Sequence, residues 1–277
     1  EEERIAFCQF LEGLIKDIKQ IDPNHPVIYA SAAYLNLKYL KKYVPSLDMF
    51  GINAYCSIRF IHGAWDVLEI AKPYVITEYG PYLPNDSHRD TNGKPVELGD
   101  YQKAMIYRDY TEQIEGFAGY NLGGFAFHLG ETSQESMTWW NLNEGESKKQ
   151  SYWAIYAKYK DGLAPYQTPQ IENLVISKVD NLMPNEIIDV EVRLKDAKAE
   201  NFYFEYKMST AEEGILKYYV NEYIDINVIG KGNSVKVEVP KQSGFYRLYC
   251  FVKDMNGNVS CMNKSISVSQ INALKNK

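Results

Sequence analysis

Lys72-Pro73-Tyr74-Val75-Ile76-Thr77-Glu78-Tyr79-Gly80 is an apolar run that delivers a carboxylate at its C-terminal end. It reads as a β-strand. Outward from it, residues 26–31, 49–55 and 123–129 read the same way, while stretches around 35–43, 64–71, 101–116 and 150–160 have the length and pattern of helices. Residues 3–21 place Cys8, Leu11, Ile15 and Ile18 at helical spacing, with Phe7, Leu14 and Ile21 beside them, and Asp22-Pro23 ends that amphipathic helix. Alternation of this kind predicts parallel strands joined by helical crossovers. The strands are nearly continuous in apolar residues, as expected where both faces of a sheet are covered. Each is followed by a loop rich in Tyr, Asn, His, Glu or Gly, which is where α/β proteins place their chemistry.

Two further strands complete a set. Leu47-Asp48-Met49-Phe50-Gly51-Ile52-Asn53-Ala54-Tyr55 ends in Asn and Tyr, and Gly123-Gly124-Phe125-Ala126-Phe127-His128-Leu129-Gly130-Glu131 opens into a polar loop running through Trp139-Trp140. Any strand can end in Glu, and Glu78 alone also reads as a helix cap or a structural ion pair. The ordered set is more specific.

That set, over residues 1 to about 160, resembles the clan of retaining (β/α)8-barrel glycoside hydrolases, particularly glycoside hydrolase family 2 catalytic domains and their secreted bacterial relatives. The resemblance implies the C-terminal half of a TIM barrel, an α/β fold. Asp22-Pro23-Asn24-His25-Pro26-Val27 then leads into the fifth strand; Asn53 and Tyr55 close the sixth, Glu78 the seventh and His128 the eighth. Glu78 falls at the family's nucleophile position, and Tyr55 at that of the tyrosine hydrogen-bonded to it. Asn53, Tyr55, His128, Glu131 and Trp139 are the residues expected to contact substrate.

Retaining cleavage uses one carboxylate to attack the anomeric carbon and a second, about 5–5.5 Å away, to protonate the leaving oxygen and then activate water. A tyrosine hydroxyl donating to the attacking carboxylate favours its charged form and holds it in place. Two departures stand out. The family's acid/base lies in an Asn-Glu pair just before the helix over 3–21, where this sequence has Glu1-Glu2-Glu3, read as the acidic first turn of that helix. The family's floor tryptophan is replaced by Phe127 and Leu129, leaving Trp139 or Trp140 either to compensate or to seal the core. Glu131 and Glu135 are the nearest other acids. With four of eight barrel strands, the sequence is expected to be part of a longer polypeptide, completed by the missing N-terminal barrel half or by a partner copy.

After Pro165 and Pro169 the pattern changes to short alternating strands, near 171–178, 187–195, 201–208, 222–229, 234–239, 244–253 and 259–268. This predicts an all-β immunoglobulin-like sandwich over 169–270 beside the half barrel over 1–165. The run Gly244-Phe245-Tyr246-Arg247-Leu248-Tyr249-Cys250 resembles the penultimate strand of fibronectin-type and PKD-type domains, which implies a tyrosine-corner role for Tyr246. Within the half barrel, residues 84–99, with Asn85, Asp86, Asp90, Asn92 and Gly93, form a long polar loop that reads as a lid, a surface insertion or a calcium-binding loop.

The formal charge of −6, from 36 acidic and 30 basic residues, argues against a nucleic-acid or anionic-membrane surface. A neutral, hydroxyl-rich ligand suits that balance, and 23 Tyr and 4 Trp supply rings on which sugars stack, although tyrosines also suit half-buried strands. No apolar run reaches the roughly 20 residues that span a bilayer. Glu1-Glu2-Glu3-Arg4 lacks the features of a signal peptide, but a mature or trimmed chain leaves a secreted, periplasmic or cell-surface location open. The four cysteines show no metal spacing, so no metal is expected. Cys250 and Cys261 flank a turn at Asp254-Met255-Asn256-Gly257, as a cross-strand disulfide or as two buried thiols. The expected function is hydrolysis or transglycosylation of a β-linked poly- or oligosaccharide by double displacement, without cofactor. The alternatives are a carbohydrate-binding protein that has lost catalysis and a structural or adhesive protein working through its sandwich.

Overall fold

A computed structural model describes residues 1–55, 58–117, 119–130, 136–195, 197–211 and 221–269. By packing, the chain divides into two compact units: Glu1–Pro81 with Tyr107–Phe127, and Tyr82–Ile106 with the residues from His128 onward.

In the first unit, α1 (Glu2–Ile21), β1 (Ile28–Ser31), α2 (Leu37–Tyr43), β2 (Met49–Ala54), α3 (Ile58–Val67), β3 (Tyr74–Tyr79), α4 (Asp100–Gly116, its C-terminal part) and β4 (Asn121–Ala126) follow in order. The four strands form one parallel sheet in the order β1-β2-β3-β4. Helix α1 buries Cys8, Leu11 and Ile15, and α3 buries Ile58, Ile61 and Trp65. Trp65 packs edge-on against Phe50 and tilted against Tyr74, while its indole N–H donates to the Lys72 carbonyl at 2.8 Å. Helix α3 starts before the stretch 64–71 expected from the sequence. Its end is closed by Glu69 at φ 48° and by the Ile70 N–H returning to the Trp65 carbonyl.

In the second unit a short hairpin, β5 (Asn143–Glu144) and β6 (Ser147–Lys148), leads into α5 (Gln150–Tyr159). Then come β7 (Ile171–Ile176), β8 (Ile187–Leu194), β9 (Tyr203–Thr210), β10 (Tyr223–Ile224), β11 (Asn227–Ile229), β12 (Ser234–Glu238), β13 (Gly244–Lys253) and β14 (Val259–Val268). They form two antiparallel sheets, β11-β12-β8-β7 and β10-β9-β13-β14, around one core that includes Leu174, Val190, Val192, Met208, Val237, Leu248 and Ile266. Tyr246 is buried and its hydroxyl donates to the Gln242 carbonyl at 2.9 Å. Cys250 and Cys261 are buried free thiols. Register explains why: Cys250 opposes Met262 and Cys261 opposes Phe251, so the two cysteines point to opposite faces of the sheet.

Strand β13 is buried on both faces. Its outer face, with Arg247, Tyr249 and Phe251, is covered by the loop 82–99 and by residues 136–149. Arg247 donates to the Pro95 carbonyl at 2.7 Å and to Asn263 at 3.0 Å, and the Tyr249 hydroxyl accepts from the Met137 N–H at 3.2 Å. The polar loop is therefore docked on the sandwich. Asp90 turns it, accepting from the Asn92 and Lys94 N–H groups and from the Ser265 hydroxyl, and the Asn92 amide donates to Ser265 and the Val179 carbonyl. Beneath it, Glu97 pairs with Lys103 and accepts from Ser136, Thr138 and Asn263.

The expected fold class, a half TIM barrel with an immunoglobulin-like sandwich, is corrected. Among the described residues the parallel sheet is small and open: β1 pairs with β2 alone and β4 with β3 alone. The other ten strands lie in three antiparallel sheets, and no barrel is evident. Closing a parallel barrel takes about eight tilted, staggered strands. The alternation of strands and helices reports parallel pairing of neighbours but carries no information on closure.

Candidate active site

Strands β2 and β3 end side by side. Their register runs Ile52 with Ile76 and then Asn53 with Glu78, so Thr77 is an extra residue on β3. A bulge of this kind re-aims the side chains that follow it. Gly51 makes room for it: a Cβ there would lie 2.8 Å from the Thr77 methyl and 3.0 Å from the Ala30 Cα. The Thr77 hydroxyl donates to Asn53 Oδ1 at 2.7 Å, which fixes the amide and leaves its NH2 without a partner among the described residues.

Beyond the bulge, the Tyr55 hydroxyl donates to Glu78 Oε2 at 2.6 Å. Glu78 Oε1 has no hydrogen-bond partner among the described residues. One carboxylate oxygen is thus held and the other is open. Burial, and then the Glu78 carboxylate beside it, push the Tyr55 phenol far above its ordinary range, so it stays a protonated donor at any physiological pH. The Tyr55 ring meets Phe127 edge to face at 6.1 Å, and its carbonyl accepts from the Tyr110 hydroxyl at 3.2 Å. Below, Tyr79 is buried with its hydroxyl 2.8 Å from Thr111.

Two of the expected contact residues, His128 and Trp139, belong to the second unit. His128 belongs to the second unit, where its backbone exchanges hydrogen bonds with Trp140 and Leu142 and Nδ1 lies 2.9 Å from the Leu129 carbonyl. Trp139 is 2% exposed and its indole N–H donates to the Tyr82 carbonyl at 3.1 Å, so it packs the core of that unit and has no open face for a sugar. Trp140 packs against it at 6.2 Å. Glu131, like Glu135, lies outside the described residues.

No protein-family model and no curated protein matches the chain. Among solved structures it is similar to PcoC, a methionine-rich copper resistance protein from Escherichia coli, at 13% identity over 37% of this chain and 100% of that one, with a TM-score of 0.26. It is also similar to carbohydrate-binding modules of a β-sandwich superfamily, at 18% identity over 37% and 35% of the two chains, with a TM-score of 0.24. Murine CRIg follows at 9% identity over 37% and 97%, with a TM-score of 0.22. Likenesses this distant carry no functional argument.

The chemistry is therefore read from the residues. A carboxylate with one oxygen fixed by a phenol and one free suits nucleophilic attack at an electrophilic carbon. The free NH2 of the Asn53 amide beside it suits a ligand hydroxyl. Thr77 and Tyr110 escaped the sequence reading. Thr77 precedes the carboxylate inside the apolar run, and only the register shift shows its task; Tyr110 sits on a helix with no motif around it. Among the described residues no cluster of three or more His, Cys, Asp or Glu side chains is arranged to hold a metal ion. No helix there is long and apolar enough to cross a membrane.

Proposed function

We propose that this chain acts on a β-linked glycan by retaining double displacement, with Glu78 as the nucleophile. The observation that carries the reading is the Tyr55–Glu78 hydrogen bond, which fixes Oε2 and leaves Oε1 free to attack the anomeric carbon. Asn53 holds a sugar hydroxyl through its free amide NH2. Attack breaks the glycosidic bond, the leaving oxygen takes a proton from solvent, and water or a second glycan hydroxyl then displaces Glu78 with loss of its own proton, giving hydrolysis or transglycosylation.

The reading is tested with an aryl 2-deoxy-2-fluoro-β-glycoside panel, which needs little help from a general acid. The expected result is a stoichiometric mass increase on the peptide containing Glu78, absent in Glu78→Gln. If no glycoside of the panel labels the protein, or if the label sits on another residue, Glu78 is not the nucleophile.

One observation favours a second reading, glycan binding without cleavage. Among the described residues at the C-terminal ends of the parallel strands, Glu78 is the sole carboxylate, and general acid assistance is worth about 10²–10⁴-fold. Under that reading Glu78 labels with an activated glycoside, yet natural β-linked oligosaccharides are bound and left intact.

A further inference from the structure

Beyond that site, the second unit contains a cavity of about 300 Å³ between the start of α4, the start of α5, the segment 168–172 and β14. Its size lies at the lower end of small-molecule sites. We propose that this cavity binds a neutral sugar unit, as a non-catalytic anchoring site for a glycan chain.

The lining makes the case. Gln150 Oε1 accepts from the Thr168 N–H at 2.9 Å and from its hydroxyl at 3.3 Å, and that hydroxyl lies 2.9 Å from Ser260 Oγ. The carbonyl end of the amide is thereby occupied, and its NH2 has no partner among the described residues. Gln102 repeats the arrangement: its Oε1 accepts from the Gly99 N–H at 3.2 Å and its NH2 is without a partner there. Two amide donors held by their own oxygens are pre-organised for ligand oxygens, and they lose little freedom on binding.

Tyr101, also on the lining, is 56% exposed. An open ring beside fixed polar donors offers an apolar face for the C–H side of a pyranose, as well as a polar edge. Charge narrows the ligand class. Glu172 and Lys195 are both exposed on the lining and oppose one another in sign. Asp100 closes the floor, but its carboxylate accepts from the Cys261 N–H at 2.7 Å and lies 3.7 Å from the ammonium groups of Lys103 and Lys149. With no net positive field, phosphate or a polyanionic sugar has nothing to select it, whereas uncharged hydroxyls meet donors, an acceptor and a ring.

The test is titration calorimetry on the whole chain carrying Glu78→Gln. The probes are gluco-, manno-, galacto- and xylo-oligosaccharides of six units, with oligogalacturonate as an anionic control. At least one neutral probe is expected to bind saturably. Tyr101→Ala and Gln102→Ala, both at exposed positions, are each expected to weaken it roughly tenfold, the value of one lost contact of about 1.4 kcal/mol. Lys231→Ala, at an exposed position outside the cavity and outside the Glu78 site, is expected to leave it unchanged, with circular dichroism checking that each variant is folded. The proposal is overturned if no neutral probe binds, if only oligogalacturonate binds, or if binding survives both cavity variants unweakened. Covalent labelling at Glu78 is a separate readout, so this site and the nucleophile can fail independently.

Discussion

The Tyr55 hydroxyl lies 2.6 Å from Glu78 Oε2, across two parallel strands whose register slips by one residue just before the contact. Without that slip, Asn53 would oppose Thr77 instead of Glu78. The hydrogen bond, the bulge and the Thr77–Asn53 clamp are therefore one arrangement, with Gly51 supplying the space beneath it.

Tyr55→Phe keeps the ring against Phe127 and removes only the donor. A hydrogen bond to a charged group is worth about 1.5–3 kcal/mol. Turnover of an aryl β-glycoside is accordingly expected to fall by about ten- to a hundredfold with KM little changed, as read from steady-state kinetics. Full activity in this variant would show that the phenol is only a packing element.

Gly51→Ala should destabilise the protein by about 1–3 kcal/mol, the usual cost of overpacking. The new methyl would lie 2.8 Å from the Thr77 methyl, which can shift, and 3.0 Å from the Ala30 backbone, which cannot shift without moving β1. Urea unfolding measures the loss. The same variant should label more slowly at Glu78, because Thr77 cannot move without disturbing Asn53.

Glu97 sets an acid limit on stability. Burial alone would raise its carboxyl, but the charges of Lys103 and Lys149 and hydrogen bonds from Lys103 and Ser136 outweigh burial and hold it at about 2, against an ordinary value of 4.5. A depressed folded value stabilises above the unfolded one, so the contribution is complete above pH 4.5 and is lost as pH falls toward 2. The shift corresponds to on the order of 3 kcal/mol. Unfolding free energies measured from pH 6 down to about 2 should fall more steeply for the native protein than for Glu97→Gln. Equal slopes would mean that Glu97 is not ionised in the folded state.

The thiols should be silent. Burial pushes Cys250 up to about 12 and Cys261 well above its ordinary range, and the strand register points them apart. Neither should react with Ellman's reagent until the protein is unfolded, and the melting temperature should be the same with and without reductant. A Cys250–Cys261 crosslinked peptide in a non-reducing digest would require a different register for β13 and β14.

Local pattern was enough to mark several elements. The apolar runs at 49–54 and 74–79 are strands because alternation with helices leaves little else for them, and the turn before Val259 divides β13 from β14. Chain order and strand ends also put Asn53, Tyr55 and Glu78 within reach of one another, since sequential parallel strands are neighbours and their C-terminal ends lie together. Tyr246 was legible for a similar reason: its hydroxyl partner is four residues away.

Everything that depended on contacts distant in sequence was settled only by the tertiary structure. Whether four parallel strands close into a barrel is decided by tilt and stagger, which no periodicity encodes, and here the sheet stays open. Trp139, which local sequence leaves open between a sugar platform and a core residue, is buried, with its N–H satisfied by the Tyr82 carbonyl. Nothing local in the sequence marks the side chains of Glu97, Asp100, Lys103 and Lys149 as buried. They are buried because Lys149, from a distant part of the chain, joins the local Glu97–Lys103 and Asp100–Lys103 pairs, and because β13, itself buried on both faces, needs a covering layer. Charged residues are placed inside a protein by their partners, and a partner as distant as Lys149 leaves no trace in the local sequence.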